Sequence, residues 1–264
     1  MREKLKKILA NISKPTLSKI HKYKDFHKNE SCYLIGDGIS LKWFDLSLFH
    51  DRVSIPTGFL PFHNDFDKLN VKYSLFIEPW YFYPLRESNK IAKLYKKEII
   101  YKYKDINFFI NLSNYPFIKK NSNINYVFNN DFFDSRIQEN FISNRINAFH
   151  GVFRFSISLA VYMGFEHIYL LGCDYTHVPS RSLHWYEKGK GVLLEQPNYQ
   201  KNFIEIAKEF IDITTITLDG KSDFINYIKY EDFTGKKPVF KENNQLLSEN
   251  KLIILNSRNR YKIY

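Results

Sequence analysis

Cysteine, acidic residues and long apolar runs are all scarce in this sequence. Two cysteines in 264 residues, Cys32 and Cys173, are too few for a disulfide framework and lack the paired spacing of a zinc site. Both are expected to be reduced, buried thiols of a cytosolic protein. No stretch approaches the roughly 20 apolar residues that span a bilayer. The start is basic but has neither an apolar h-region nor a small-residue cleavage site, which argues against a secretory signal. No internal repeat or low-complexity tract is present.

Acidic residues number 28 against 39 Lys and Arg, for a formal charge of +11. Such a balance suits a nucleotide or other phosphate, an anionic membrane surface, or nucleic acid. Its distribution narrows the choice. Residues 1–28 hold Arg2, Lys4, Lys6, Lys7, Lys14, Lys19, Lys22, Lys24 and Lys28 against Glu3 and Asp25, so much of the excess belongs to a leader. Leu5, Ile8, Leu9 and Ile12 recur there at helical spacing, and Pro15 is expected to end the helix. Such a leader either lies on an anionic leaflet or packs on the domain. No recognised nucleic-acid motif accompanies the charge, so nucleic acid is not an expected partner. The 19 Tyr and 24 Phe fill a core and its rim, or build stacking platforms for a sugar or base.

The hydrophobic share of 44% and the length fit one large domain. Apolar runs at 32–35, 53–55, 71–77, 106–112, 126–128, 168–171 and 212–218 read as strands. Helical spacing at 90–104, 153–163 and 198–210 alternates with them, and 221–230 reads as a further short helix. The expectation is an α/β fold with a Rossmann-like, mostly parallel sheet flanked by helices. It divides the chain into a basic leader (1–30), a catalytic domain (31–235) and a polar, basic tail (236–264).

Two stretches carry chemistry. After the first strand, Gly36-Asp37-Gly38-Ile39-Ser40 has the layout of a phosphate-approaching turn, with Ser40 near a helix start. After the strand at 168–171, a polar loop collects Asp174, Tyr175, His177, Arg181, His184 and Tyr186 where a parallel sheet places its ligands. Glu78 also follows a strand. Asp65-Phe66-Asp67 has metal-binding DxD spacing, but no apolar strand leads into it, so it reads as a solvated loop or cap. Each of these has a plain reading as well: a structural turn, a surface histidine beside Trp185, or a local ion pair of Arg181.

The turn GDGISL, the run MGFEHIYLLGCDYTH and the downstream LHWYE resemble the bacterial sialyltransferases of glycosyltransferase family 42. They resemble still more closely the MAF-like and surface-polysaccharide biosynthesis proteins of that superfamily. The resemblance implies that Gly36, Asp37, Gly38 and Ser40 form the nucleotide turn, and that Thr57 or Gly58 and then Glu78 fall on further nucleotide-contacting positions. It implies that His184 is the general base, with Tyr175 and Tyr186 steadying the departing phosphate. Asp37 and Glu78 stand where the family has neutral Asn, so they suit hydroxyls better than phosphate. The helix entry His150-Gly151 with Arg154 replaces the family's Arg-x-Thr-Ser-Gly.

The implied activity is inverting transfer of an acidic sugar from a CMP-sugar co-substrate to a glycan or lipid-linked glycan acceptor, with no obligatory metal or other cofactor. Donors for the charge developing on the leaving phosphate would come from Arg181, Arg154 or the tyrosine hydroxyls, and Asp174 would either orient a loop histidine or simply cap the next turn. The implied setting is cytoplasmic, with peripheral contact at the inner membrane face. Two alternatives stand beside it. One is diphosphokinase-like phosphoryl transfer, with Asp37 and Asp174 holding a metal. The other is a non-catalytic scaffold at the membrane.

Overall fold

The first apolar run forms strand β1 (Ser31–Ile35), and the sheet grows outward from it on both sides. In a computed structural model, residues 2–84, 89–118, 121–129, 147–148, 151–195 and 201–256 are described. Further strands are β2 (Val53–Pro56), β3 (Tyr73–Phe76), β4 (Asn107–Asn111), β5 (Ile124–Asn129), β6 (Asn147–Ala148), β7 (His167–Leu171), β8 (Ser180–Arg181), β9 (Leu193–Leu194), β10 (Asp212–Thr217) and β11 (Asn226–Lys229). One sheet has the order β11-β10-β7-β1-β2, and a second has the order β3-β4-β5-β6. Parallel bridges Ser54 to Val71 and Thr57 to Leu75 join them edge to edge. Every pairing in both sheets is parallel; the small β8–β9 ribbon is antiparallel.

Both faces of this sheet are covered, as parallel sheets require. Cys32 and Leu34 of β1 enter one core with Ile168 and Leu170 of β7, while Tyr33 and Ile35 enter the other with Leu171. This is the two-residue alternation of a strand. Helices follow in chain order as α1 (Arg2–Leu17), α2 (Asn89–Tyr95), α3 (Val152–Met163), α4 (Lys201–Ala207), α5 (Tyr230–Thr234), α6 (Asn243–Leu246) and α7 (Glu249–Asn256). Phe155, Ile157, Leu159 and Met163 of α3 are fully buried, each contributing roughly 1.5–3 kcal/mol. Gly164 ends α3 in the left-handed region at φ 85°, where glycine avoids a Cβ clash.

Several sequence expectations change. Helix α1 does not stop at Pro15 but runs through it to Leu17. Near a helix end a proline removes a single hydrogen bond, and the chain continues at once into a 3-10 turn, Ser18–Tyr23, with Ile20 and Tyr23 in the core. His27 stacks on Phe165 with ring centroids 4.3 Å apart, and its Nε2 lies 2.7 Å from the Tyr73 hydroxyl. The end of the leader is therefore integral to the fold. So is the tail, since Leu246, Leu247 and Leu255 are buried in the second core. The 90–104 helix is regular only to Tyr95, then widens to a π turn that seats both Ile99 and Ile100 in the core. Residues 226–229 are the edge strand β11, not a helix: the open edge of β10 offers pairing that weak local helical spacing cannot match.

Asp65, with its side chain only 14% exposed, pairs with Lys68 at 2.7 Å and Lys241 at 3.5 Å, whereas Asp67 is exposed, so the two carboxylates of the DxD stretch stand in different surroundings. Cys32 and Cys173 are unpaired and buried, and burial pushes both thiols up. No helix among the described residues is long and apolar enough to cross a membrane.

Candidate active site

From β1 the chain steps outward through β2 to β6, then returns to β7 on the opposite flank of β1. The strand order therefore reverses between β1 and β7, and the crevice at their carboxyl ends is where open parallel sheets take ligands. Three loops meet there: residues 36–40 after β1, 57–60 after β2 and 172–187 after β7.

These loops are pressed together. Gly36 N–H donates to the Leu171 carbonyl and Gly38 N–H to the Gly172 carbonyl, both at 2.8 Å. A Cβ at either Gly36 or Gly38 would lie 2.5 Å from the Gly172 oxygen. The two glycines thus serve backbone-to-backbone contact between loops. Ser40 donates its N–H to Asp174 Oδ2 at 2.9 Å and its hydroxyl to Asp174 Oδ1. Burial raises the Asp174 carboxyl to about 6, against the pull of the Ser40 bonds. Asp174 therefore clasps the 36–40 turn, and its charge also helps to raise the His184 pKa.

Asp37 faces the β2 loop. Its Oδ2 accepts from Phe59 N–H at 3.0 Å and its Oδ1 from the Trp185 indole at 3.1 Å. A Cβ at Gly58 would fall 1.8 Å from Oδ2, at a residue already in the left-handed region (φ 57°). Thr57 donates its hydroxyl to the Ile35 carbonyl at 3.2 Å. Burial raises the Asp37 carboxyl, while His184 and the Phe59 N–H lower it. Asp37 and Asp174 are directed at different partners and are not presented as a shared metal pair. Among the described residues no group of three or more His, Cys, Asp or Glu side chains is arranged to hold a metal.

His184 lies beside this clasp, bridged antiparallel to Gly38. Its Nδ1 is 2.8 Å from Glu187 Oε2, and its backbone N–H donates to the same oxygen at 2.7 Å. The ring stacks on Tyr186 at 5.1 Å and its side chain is 35% exposed. Burial alone would lower its pKa, but the Glu187 bond and the carboxylates of Glu187, Asp37 and Asp174 raise it. In the neutral ring, a proton on Nδ1 held by Glu187 leaves the basic lone pair on Nε2. Glu187 was not singled out from the sequence; its i,i+3 position in LHWYE was the available signal.

The remaining candidates divide. Tyr175 packs edge-on against Phe153 at 5.2 Å, and burial raises its phenol well above the ordinary range, so it stays a neutral donor. Arg181 donates to Asp219 Oδ2 at 2.6 Å and lies over the Trp43 ring. His177 is buried, its pKa lowered to about 4 by burial. Glu78 is exposed beyond β3, its carbonyl accepting from Asn114 Nδ2. Arg154 lies over the Phe203 ring of α4, and burial lowers its pKa. Gly151 caps α3 at φ 89°, with no atom of the described residues within 4 Å of where its Cβ would be. His150 lies outside the described residues.

No family model and no curated protein matches the sequence. Solved structures with a similar fold include the sialyltransferase CstII from Campylobacter jejuni in complex with cytidine-5'-monophosphate, at 14% identity and TM-score 0.44, over 88% of this chain and 99% of that chain. Another is the monofunctional alpha-2,3-sialyltransferase Cst-I from Campylobacter jejuni, at 15% identity and TM-score 0.43, over 86% and 95%. Likenesses this remote leave the reaction to be read from the residues.

Proposed function

We propose that the chain is an inverting glycosyltransferase of bacterial surface-polysaccharide assembly. It passes an acidic sugar of the nonulosonate or Kdo type from a CMP donor to a glycan hydroxyl. The observation that carries this reading is the His184–Glu187 pair set at the β1/β7 switch point, beside a glycine turn after β1. The motif resemblance in GDGISL and IYLLGCD supports it. In the proposed step the acceptor oxygen attacks the anomeric carbon, and the bond from that carbon to the CMP phosphate oxygen breaks with its electron pair leaving on phosphate. His184 Nε2 takes the acceptor proton, and Glu187 stabilises the resulting imidazolium. Arg181 and the Tyr175 and Tyr186 hydroxyls are the donors assigned to the leaving phosphate. The nucleotide is assigned to the backbone of residues 36–40 and 57–58, with the Asp37 carboxylate held by Phe59 and Trp185.

The reading places the protein in the cytoplasm, at the inner face of the membrane, where Ile8 and Ile12 of α1, both exposed, would meet anionic lipid. Its test is thermal and kinetic. CMP is expected to raise the melting temperature, and His184→Ala to fold normally while transfer falls about 10²–10⁴-fold. Unchanged melting with CMP, CMP-N-acetylneuraminate and CMP-Kdo would overturn the assignment.

A further inference from the structure

The turn that carries the base is strained and is fastened from behind. Leu183, immediately before His184, has φ 78°, a left-handed conformation that a leucine rarely adopts and that persists only where surroundings impose it. Lys42 is fully buried on the 3-10 turn after β1, and its ammonium donates to three acceptors: the Glu187 carbonyl at 2.5 Å, the Gly189 carbonyl at 2.8 Å and Asn243 Oδ1 at 2.9 Å. Asn243, from α6 in the C-terminal segment, donates its amide Nδ2 to the Trp185 carbonyl at 3.1 Å. Asn256 of α7 donates to the Tyr186 carbonyl at 3.1 Å. Each ammonium hydrogen thus has an acceptor, and successive carbonyls of the catalytic turn are gripped by side chains distant in sequence.

We propose that Lys42 and Asn243 are positioning residues for the His184–Glu187 pair, so that the C-terminal segment is part of the working site. Neither side chain touches the imidazole; Asn243 acts through the backbone of the turn, and Lys42 acts through that backbone and through its charge on Glu187. The burial of Lys42 fits this role, because an ammonium with three fixed acceptors tolerates little displacement of any of them. Burial lowers its pKa to about 8, with Glu242 and Glu187 pulling the other way, so it remains largely charged at neutral pH. The inference rests on His184 being the base.

The test titrates the His184 ring by NMR in the full-length chain, for wild type, Asn243→Ala and Lys42→Met, with His184→Gln to assign the resonance. Asn243→Ala changes no charge, so a positioning role predicts that the raised His184 pKa falls toward the ordinary value of about 6.5. Lys42→Met adds a sign test. Loss of the nearby cation alone moves His184 up, whereas loss of position moves it down. The expected kinetic companion is a fall in kcat of about tenfold or more, with the KM for the CMP-sugar within about twofold. If Lys42→Met does not fold, Asn243→Ala decides alone. A His184 titration and kcat unchanged in folded Asn243→Ala overturns the proposal. Wild type inactive on every CMP-sugar would instead refute the functional reading, and the NMR arm would still decide the positioning.

Discussion

Trp185 is joined to Asp37 twice, through its indole Nε1 to Oδ1 at 3.1 Å and through its backbone N–H to the Asp37 carbonyl at 3.0 Å. The loop after β7 is thereby tied to the turn after β1 across the crevice. Trp185 is fully buried, and its ring lies 5.0 Å from His63 and 5.5 Å from Tyr186. Asp37, read from the sequence as a nucleotide-contacting group, is thus a clasp between three loops.

Asp37→Ala is accordingly expected to destabilise the fold. It leaves the Phe59 N–H and the Trp185 indole without their acceptor, at about 1–3 kcal/mol for each buried group. The measurement is the urea midpoint, which should fall with little change in slope. A variant of wild-type stability with weakened CMP binding would return Asp37 to the ligand.

The glycines separate by cause. Gly58→Ala places a methyl against the Asp37 carboxylate at a positive φ, and Gly38→Ala drives one into the Gly172 carbonyl and Asp174. Both should cost more than Gly151→Ala, where the residue also has positive φ but space is open. The last should lose on the order of 1 kcal/mol from backbone strain alone. Melting temperatures of the three variants rank the effects, and equal losses would mean that conformation, not contact, sets all of them.

The sheet was legible in the sequence because its strands are unbroken apolar runs closed by glycine or polar turns, as in CYLI before Gly36 and IYLL before Gly172. The loops that hold the site were legible too, since strand ends announce them. What could not be read was which side chains turn inward. Asp37 and Asp174 look like ligand groups in the sequence, yet each accepts from the protein's own N–H or O–H donors. Lys42 and Asn243 carried no local signal, because their partners lie 145 and 58 residues away in the chain. Strand β11 was missed for a similar reason: an edge strand is decided by the neighbour it finds.

The His184–Glu187 pair sets two pH windows. Glu187 is held below the ordinary carboxylate range: burial opposes this, but the His184 bonds and Lys42 prevail. With His184 raised, the pair's contribution to stability is complete below the unfolded histidine value of about 6.5. It fades as pH rises through the higher folded value, and on the acid side as pH falls through the lowered Glu187 value. Catalysis needs the neutral ring, so the acidic limb of the rate should have its midpoint above about 6.5. Glu187→Gln should shift that limb downward and reduce kcat. A limb that stays in place in Glu187→Gln would detach His184 from the reaction.

His177 supplies the clearest acid test of the fold. It is 3% exposed, its Nδ1 has no hydrogen-bond partner among the described residues, and its pKa is lowered to about 4 by burial, with Asp219 opposing and Arg181 reinforcing the shift. A histidine depressed in the fold binds fewer protons than in the unfolded chain, so stability falls as pH drops from about 6.5 and the loss levels off below about 4. Asp174, raised to about 6, acts the other way: its protonation relieves a buried charge between about 6 and the ordinary carboxylate value. Urea midpoints measured between pH 7 and 4 should therefore decline less steeply in His177→Asn than in wild type. They should decline more steeply in Asp174→Asn, which removes the offset. Parallel curves for all three proteins would mean that neither buried group governs the acid response of the fold.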